Sequence, residues 1–379
     1  MLKNYILIMS SFINFFLCFL YDYNIKYNYY KMPRTQRKIY KYNLYLKKNS
    51  KETKLENGIE NLYSILGLNR RCNNEEINNA YNRYIQKFGR LLVLLNTSNE
   101  NLSYVFDTIL ASMEKSHKIL NNLEYKKEHD CKLEEIFKNN DYIKIEAPKD
   151  KYYADPQLFK FGSKTYIFFE EYDYIKGVIS CISVDNDMNI SKPIKVLEQP
   201  YHLSFPYIFS DGQKIFMVPE TSKNGTIELY ISDRFPLKWT KYHTILTGVW
   251  ASDTVIFELN GIWWLFTTIR DSHNFTIMYS FDLLSKQWLH HNFNNTDKLH
   301  GRMAGAVFRH NGKLIRPVQC CIPKYGYCVI FYEITTLSRT NYVEKEVGRF
   351  FPNWEDGIIG THTFSVSENL IAFDGKFKL

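Results

Sequence analysis

The segment Asp155-Pro-Gln-Leu-Phe159 has four later counterparts in the chain, spaced by about 50 residues. These counterparts are Phe205-Pro-Tyr-Ile-Phe209, Asp253-Thr-Val-Ile-Phe257, Ala304-Gly-Ala-Val-Phe308 and, more loosely, Thr361-His-Thr-Phe-Ser365. A turn containing Gly or Asn follows each of the first four segments, and then a second apolar run: residues 165–169, 215–218, 262–266 and 314–318. Repeats of this length, built from short strands and turns, are typical of a β-propeller. The spacing therefore predicts five blades around one axis.

The second apolar run ends at a polar residue in each of the first four repeats. Fifteen residues after the opening positions Asp155, Phe205, Asp253 and Ala304 stand Glu170, Glu220, Thr268 and Gln319. In an antiparallel hairpin, the start of one strand and the end of the next lie at the same edge. We therefore predict that the four carboxylates among these residues converge on one mouth of the propeller. The alternative is that they are ordinary surface carboxylates at turns.

Length and charge limit the classes of function. A chain of 379 residues is long enough for two domains, and its 29 Tyr and 27 Phe favour strands. The net charge of +8 is concentrated in residues 21–57, which hold ten Lys or Arg against three acidic residues. Because the rest of the chain is close to neutral, we expect no nucleic-acid partner for the folded domains.

The N-terminal residues read as a targeting segment. Residues 5–20 are mostly apolar and follow Lys3, a length that suits the core of a signal peptide better than a membrane span. We expect residues 1–21 to be a signal peptide or membrane anchor and residues 22–57 to be a basic flexible linker. This predicts a protein of the secretory pathway, in the endoplasmic reticulum or Golgi. Translation from Met32 would remove the segment and predict a cytoplasmic protein.

The seven cysteines show no metal-binding or redox spacing. We interpret the adjacent pair Cys320-Cys321 as packed strand residues rather than as a disulfide or metal site. Cysteine usage therefore does not settle the compartment.

Residues 59–133 follow a helical period. One apolar stripe consists of Ile77, Ala80, Tyr81, Tyr84, Ile85 and Phe88, and Asn73 or Asn74 can cap that helix. A second stripe consists of Leu102, Val105, Phe106, Ile109, Leu110 and Met113. Two amphipathic helices joined by a loop predict an antiparallel hairpin.

Three motifs in this module are Leu62-Tyr-Ser-Ile-Leu-Gly-Leu68, Glu75-Glu-Ile-Asn-Asn-Ala-Tyr81 and Ile119-Leu-Asn-Asn-Leu-Glu-Tyr-Lys-Lys-Glu-His-Asp130. In this order they resemble the J-domain of DnaJ-type co-chaperones. The His-Pro-Asp tripeptide by which J-domains stimulate Hsp70 is absent, and Gly89-Arg90-Leu91 stands in its place. The resemblance therefore implies a degenerate J-like fold without that activity. The apolar loop that we expect next, Leu91-Leu-Val-Leu-Leu95, is either extra helix packed in the core or a docking surface for a partner.

The repeats carry a second set of ordered motifs: Tyr153-Ala-Asp-Pro156, Phe168-Phe-Glu-Glu171, His202-Leu-Ser-Phe-Pro206, Met217-Val-Pro-Glu-Thr221, Asn224-Gly-Thr226, Trp263-Trp-Leu-Phe266, Arg316-Pro-Val-Gln319, Tyr325-Gly-Tyr327 and Gly360-Thr-His-Thr363. Together they resemble the N-terminal domain of plant glucosamine inositolphosphorylceramide transferases, which is similar to the five-bladed propeller of arabinanases, β-xylosidases and levansucrases. The resemblance implies a propeller over residues 150–379 that binds or processes a glycan or glycolipid. The sugar-transferring domain of the plant transferases lies C-terminal to this domain, so we expect any chemistry in this chain to come from the propeller.

The resemblance also implies catalytic roles. Asp155 stands in the place of the general base or nucleophile of arabinanase-type propellers, and Asp253 where a second aspartate tunes the acid. The acid of that clan opens the fourth blade, but the stretch here reads Arg302-Met-Ala-Gly305. Glycoside cleavage needs two carboxyl groups, and Glu220 is the substitute acid that we predict, because burial can raise its pKa. The alternative is that Glu220 binds turn amides.

We predict seven further substrate-binding residues: Glu170, Glu171, His202, Trp250, Arg302, Gln319 and Tyr325. Strand alternation turns one of the two adjacent glutamates outward, and the aromatic rings can stack on sugar. Arg302 either holds ligand oxygens or forms an ion pair with Asp253. His362 matches the position of a histidine near the axial metal of the glycosidases, which implies Ca²⁺ at the axis. The alternative is a packed core histidine.

The predicted fold class is a multidomain α plus all-β protein, with a small J-like helical module before a five-bladed propeller. Two functions stay open. In the first, the propeller binds or processes a glycan or glycolipid; whether it is an enzyme is left open. In the second, the protein is an adaptor whose J-like module docks on a chaperone or membrane complex while the propeller recognises a client. Replacing Asp155 by Asn distinguishes them, since only the first requires that carboxylate.

Overall fold

A computed structural model describes residues 40–48, 60–68, 70–95, 100–138, 142–269, 274–292, 301–321, 324–368 and 370–378. Five antiparallel sheets form a five-bladed β-propeller, as the repeat spacing predicts, and helices pack beside it. The predicted signal peptide or anchor over residues 1–21 lies outside the described residues. Within the described ranges, no helix combines the length and apolarity that crossing a membrane requires.

The first four blades each contain four consecutive strands. Blade 1 contains β3 (Tyr152–Phe161), β4 (Lys164–Tyr172), β5 (Gly177–Val184) and β6 (Ile194–Leu197). Blade 2 contains β7 (Ser204–Ser210), β8 (Ile215–Glu220), β9 (Thr226–Arg234) and β10 (Lys238–Thr247), with a short 3₁₀ helix at Ser222–Asn224. Blade 3 contains β11 (Ala251–Leu259), β12 (Ile262–Ile269), β13 (Asn274–Ser280) and β14 (Leu289–His290). Blade 4 contains β15 (Phe308–His310), β16 (Lys313–Cys320), β17 (Cys328–Leu337) and β18 (Tyr342–Phe350).

Blade 5 is built from both ends of the chain. Its C-terminal strands are β19 (Ile358–Gly360), β20 (Phe364–Val366) and β21 (Leu370–Lys378), and its N-terminal strands are β1 (Tyr40–Lys48) and β2 (Ile143–Ile145). Strand β1 pairs with β21 from Tyr40↔Lys378 to Lys48↔Leu370, and its other edge pairs with β2. This pairing covers the edge of β21 that would otherwise be exposed.

The prediction of a flexible linker over residues 22–57 is wrong for Tyr40–Lys48. Leu44 and Leu46 are fully buried, and Tyr45 stacks on Phe373 with ring centroids 5.6 Å apart. The frequent lysines of this segment predict a solvated chain. The segment is instead a strand between β21 and β2, and the burial of its side chains determines its structure. The propeller therefore begins before residue 150.

The hydrophobic core lies between neighbouring blades. Phe168 of blade 1 packs in one cluster with Met217 of blade 2, and Phe216 of blade 2 packs in another with Trp264 of blade 3. Similar clusters join blade 4 to blade 5 and blade 5 to blade 1. Since each sheet is covered on both faces, the inner strands read as continuous apolar runs rather than as alternating ones.

Blades 1, 2 and 3 share a backbone irregularity at the residue that opens the inner strand. Asp155, Phe205 and Asp253 have φ angles of 54°, 43° and 53°. The register of each inner hairpin shifts at the same point. A positive φ is uncommon for residues other than Gly, and a bulge changes the direction of a side chain. The three repeats thus present their opening residues in one common geometry.

Four described helices lie between β1 and β2: α1 (Leu62–Leu66), α2 (Asn74–Leu95), α3 (Glu100–Asn121) and α4 (Leu123–Lys138). Asn73 caps α2 through a reciprocal pair, in which Glu76 N donates to Asn73 Oδ1 and Asn73 N donates to Glu76 Oε2, both at 2.9 Å. The backbone of α2 stays helical through residues 89–95, so of the two alternatives for Leu91–Leu95 the structure shows the extra helix. The resemblance of this module to a J-domain stays a prediction.

The helical module is attached to blade 4 through α1. Leu62, Ile65 and Leu66 share a buried cluster with Cys320 and Cys328 of blade 4. Polar contacts surround this cluster: the Lys324 ammonium donates to Ser64 O, Tyr327 donates to Glu60, and Asn61 Nδ2 donates to Pro352 O at 3.2 Å.

Candidate functional site

Carboxylates from successive blades bind the backbone of the next blade at its opening residue. Asp374 Oδ2 of blade 5 accepts from Asp155 N at 3.3 Å, and Asp155 Oδ2 accepts from Phe205 N of blade 2 at 3.1 Å. Glu220 Oε2 of blade 2 accepts from Asp253 N of blade 3 at 3.3 Å. These bonds hold the residues with positive φ in place. They also bring acidic side chains from four blades to one end of the axis.

All five carboxylates at this end are buried. Their exposed fractions are 5% for Asp155, 5% for Glu170, 6% for Glu220, 2% for Asp253 and 0% for Asp374. Asp155 and Glu220 both contribute to raising the pKa of Asp253, so the carboxylates of blades 1, 2 and 3 lie close enough to interact. The structure thus brings together the four carboxylates predicted to converge, and it adds Asp374, which the sequence analysis missed.

His362 lies between two of these carboxylates. Its Nδ1 is 2.6 Å from Asp374 Oδ2, and its Nε2 is 3.4 Å from Asp155 Oδ1. Asp374 Oδ1 also accepts from the backbone N–H of His362 at 2.9 Å, and Thr363 Oγ1 donates to Asp155 Oδ1 at 2.9 Å. Because every member has several partners, the group forms a rigid polar network at the axis.

The electrostatics of this network favour a charged His362. Burial lowers the pKa of His362, but the nearby Asp374 and Asp155 outweigh burial and leave that pKa raised. Burial raises the pKa of Asp374, but the positive charge and hydrogen bonds of His362 prevail, so the net pKa is lowered. For Asp155, burial prevails over His362 and the pKa is raised. An imidazolium beside an ionised Asp374 is the arrangement that these directions support.

Asp155, His362 and Asp374 also form the one group in the described part of the chain whose ligand atoms could surround a metal ion, all within 4.8 Å of one another. Ca²⁺ takes about six to eight oxygen ligands. This group offers one imidazole and two carboxylates that already accept several hydrogen bonds. These three side chains are therefore poor direct ligands for Ca²⁺. The axial Ca²⁺ stays a prediction, and the proposed function does not depend on it.

Asp253 is held by two side chains of blade 4. Arg302 Nε donates to Asp253 Oδ2 at 2.6 Å, and Gln319 Nε2 donates to the same oxygen at 3.0 Å. Burial raises the pKa of Asp253 to about 6 although the Arg302 charge opposes it. Arg302 also lies over the Tyr325 ring, 5.2 Å from its centroid. Of the two predicted roles of Arg302, the structure thus shows the ion pair.

Glu170 and Glu171 face opposite sides of β4. Glu170 Oε1 lies 3.4 Å from His202 Nε2, and Gly177 N donates to His202 Nδ1 at 2.9 Å, so the neutral ring carries its proton on Nε2 towards Glu170. Glu171 instead contacts Lys151 at 2.6 Å on the other face. A side chain at Gly177 would place its Cβ 2.3 Å from Leu203 O, which explains the glycine.

A group of tyrosines lies beside the carboxylates, and most of them were absent from the sequence analysis. The ring of Tyr42 lies 5.0 Å from that of His362 and 5.2 Å from that of Tyr152, and the Tyr325 ring lies 5.5 Å from His362. Lys376 Nζ lies over the rings of Tyr42 and Tyr325, 5.6 and 5.5 Å from their centroids. The early strand β1 thus supplies Tyr42 to a site otherwise formed after residue 150.

The other predicted residues lie as follows. Glu220 accepts the backbone N–H of Asp253 in the next blade. Gln319 is buried and donates also to Met303 O at 2.9 Å. Trp250 stands one residue before β11 with half of its area exposed, 50%. Its position at the start of an inner strand places it at the same end of the propeller as Asp253.

Comparisons with known proteins identify related sequences. A family model described as "Glucosamine inositolphosphorylceramide transferase 1, N-terminal" matches residues 136–358. Glucosamine inositolphosphorylceramide transferase 1 of Oryza sativa subsp. indica is 29% identical over 214 residues, which are 51% of this chain and 28% of that protein. The transferase of the same name from Arabidopsis thaliana is 29% identical over 214 residues, 51% of this chain and 27% of that protein. The match thus spans little more than a quarter of the length of these relatives.

Two solved structures align with part of this chain. The native arabinanase of Bacillus subtilis aligns with a TM-score of 0.45 and 14% identity over 58% of this chain and 93% of that one. An exo-β-1,3-galactanase from Clostridium thermocellum aligns with a TM-score of 0.43 and 12% identity over 52% of this chain and 50% of that one.

Proposed function

Because this chain belongs to the family of the glucosamine inositolphosphorylceramide transferase N-terminal domain, with residues 136–358 matching the family model, we propose that its propeller binds the sugar head group of a glycolipid in the central site. The names of the curated relatives contain a glycolipid, inositolphosphorylceramide, and the match to them covers about a quarter of their length. Binding, rather than the whole activity of those relatives, is the function proposed for it.

The observation that carries the proposal is the set of buried carboxylates from blades 1, 2, 3 and 5 at one end of the axis. Carboxylates are acceptors only, and sugar hydroxyls are donors that can satisfy them. Thr268 Oγ1 and Gln319 Oε1, which occupy the positions equivalent to Glu170 and Glu220, are buried without a hydrogen-bond partner in the described residues. A buried polar atom without a partner is costly, and a bound ligand would supply one.

The composition of the site supports a sugar over other ligands. The tyrosine rings offer flat faces for the apolar side of a pyranose. Among the described residues, the five carboxylates outnumber the cations Arg302, His362 and Lys376 that lie near them. An excess of negative charge disfavours polyanions, whereas it favours a neutral sugar or one that bears an amine.

For the helical module we propose a J-like fold that does not stimulate Hsp70. The backbone of α2 is continuously helical across Gly89-Arg90-Leu91, where a J-domain carries its His-Pro-Asp loop. We place the protein in the secretory pathway, with its N-terminal apolar segment as signal or anchor, since a glycolipid ligand is membrane-bound. Secretion of a reporter fused to residues 1–57 tests this placement.

The proposal is tested by ligand binding to the full chain. Thermal unfolding is measured against glucosamine, N-acetylglucosamine, other monosaccharides, inositol phosphates and a glycosyl inositol phospholipid head group. A ligand that binds only the folded state adds about 2.7 kcal/mol of stability at a hundredfold excess over its Kd. We expect a shift with one sugar class in the wild type, loss of that shift in Asp155→Asn and Glu170→Gln, and its retention in Glu171→Gln.

Glu171→Gln is a matched control because Glu171 is the next residue of the same strand and faces away from the site. Equal shifts in the Glu170 and Glu171 variants would show that the sugar binds elsewhere. No shift with any ligand would remove the sugar proposal and favour the adaptor function.

A further inference from the structure

Two cysteines lie directly opposite each other at the end of a hairpin in blade 4. Cys320 is the last residue of β16, Cys328 is the first residue of β17, and the two are paired in the strand register. Both are buried, with exposed fractions of 2% and 0%. Their thiol groups lie close enough to interact electrostatically. Both cysteines are in the thiol form, without a disulfide.

The placement of this pair suits a disulfide. Directly opposed residues of antiparallel strands have Cα atoms about 4.5–5.5 Å apart, within the range of about 4.4–6.8 Å that disulfides span. Their Cβ atoms are about 4.5–5.5 Å apart, against about 3.5–4.5 Å in a disulfide, so a small approach of the two strands is sufficient. The neighbouring Cys321 has no such partner position, since β16 ends at Cys320.

Residues at this end of the hairpin contact two parts of the protein, helix α1 and the central site. Lys324 donates to Ser64 O of α1, and Tyr327 donates to Glu60 beside α1. Between them, Tyr325 lies against Arg302 and His362 in the central site. Gly326 O accepts from Thr361 N at 2.9 Å, next to His362. A covalent link between Cys320 and Cys328 would close the loop from which all these contacts are made.

We propose that Cys320 and Cys328 are a redox modification site, oxidised to a cross-strand disulfide by an external disulfide such as glutathione disulfide or the disulfide of a protein oxidant. In the reaction each thiol loses its proton and an S–S bond forms between the two sulfur atoms. The two electrons released reduce the S–S bond of the oxidant, which takes up the two protons as two thiols. The disulfide fixes the loop that positions Tyr325 and binds α1.

The burial of the pair predicts when it reacts. Both sulfur atoms lie in the cluster that Leu62, Ile65 and Leu66 of α1 cover. Thiol–disulfide exchange requires access to the sulfur. The disulfide therefore forms while the chain folds, before α1 docks on blade 4, and the folded reduced protein is oxidised slowly.

The test uses the full-length wild-type chain, unfolded under reducing conditions and refolded with glutathione disulfide and glutathione. Free thiols are then alkylated and the linked peptides are identified by mass spectrometry. We expect a product about 2 Da lighter than the reduced chain, with one peptide that joins Cys320 to Cys328. Its thermal midpoint is expected to lie above that of the reduced protein, with the difference abolished by a reductant.

Two single variants are matched controls. Cys321→Ser changes the adjacent residue and Cys72→Ser changes a thiol in the same buried cluster; both are expected to keep the linked peptide. Cys328→Ala is expected to lose the peptide and the effect of the reductant on the midpoint. Alkylation of both Cys320 and Cys328 in the refolded wild type would overturn the proposal, as would linkage of either to Cys72 or Cys321.

Discussion

The carboxylate of Asp155 in blade 1 accepts a hydrogen bond of 3.1 Å from the backbone N–H of Phe205 in blade 2. The same relationship joins Asp374 to Asp155 and Glu220 to Asp253. Each acceptor is an acidic side chain of the central site, and each donor is a residue with positive φ that opens an inner strand. The residues proposed to bind ligand thus also hold neighbouring blades together, and binding and stability are coupled at this site.

Replacing Asp155 tests this coupling. Asp155→Ala leaves the buried N–H of Phe205 without its acceptor, which costs about 1–3 kcal/mol. Asp155→Asn keeps an oxygen acceptor and a side chain that tolerates positive φ, so we expect a smaller loss of stability from it. Urea unfolding of the full chain measures both. Equal midpoints for the two variants would show that the Phe205 contact contributes little.

The raised pKa of Asp253 predicts that the stability of the folded protein depends on pH. Its folded pKa of about 6 lies above the ordinary value of 3.8 because burial disfavours its charge. The folded state therefore binds more protons than the unfolded state between these values, and the contribution of Asp253 to stability falls as the pH rises from about 4 to about 6. Urea midpoints of the wild type and Asp253→Asn across this range check the prediction. The variant is expected to lack this downward component, and parallel curves would contradict it.

We predict that the positive charge of His362 compensates the buried carboxyl groups of Asp155 and Asp374. Removing one partner of a buried ion pair costs about 3–5 kcal/mol because the remaining charge is uncompensated. We expect His362→Gln to lose that much, and Asp374→Asn to restore part of the loss in the double variant. A double-mutant cycle from urea unfolding gives the coupling energy. Additive effects would contradict a direct interaction between His362 and Asp374.

The N-terminal strand is predicted to be required for folding. A chain that begins at Met32 retains Tyr40–Lys48 and is expected to unfold in one cooperative transition. A chain that begins after Lys48 exposes the edge of β21 and removes Tyr42 from the site, so we expect aggregation or loss of that transition. Size-exclusion chromatography and thermal unfolding compare the two. A well-folded shorter chain would show that β1 is dispensable.

Gly177 is predicted to be intolerant of a side chain. The Cβ of Gly177→Ala would meet Leu203 O at 2.3 Å and Glu170 Oε1 at 2.9 Å. Overpacking of this kind costs about 1–3 kcal/mol and would displace His202 from Glu170. Thermal unfolding and sugar binding of the variant measure the two effects. Wild-type affinity in a variant of lower stability would place the His202–Glu170 pair outside the ligand contacts.

The periodic features of this fold were predictable from local sequence. The five repeats, the polar residues that end the second strands and the outward direction of one of two adjacent glutamates all follow from the two-residue period of a strand and the fixed length of a hairpin. The same is true of the Asn73 cap, because an N-cap bonds residues three positions away. These relationships depend on neighbours in the chain, so a single sequence contains them.

The contacts that complete the site were decided by tertiary structure. Asp374, Lys376 and Tyr42 lie outside the repeated segments, and Tyr42 reaches the carboxylates only because β1 and β21 pair to close the ring. Whether Arg302 pairs with Asp253 depended on the distance between two blades. The local sequence determined the inner strands of blades 1 to 4 and the residues that open them, but not β1. Ring closure determined which side chains meet, because it joins residues that are more than 300 positions apart.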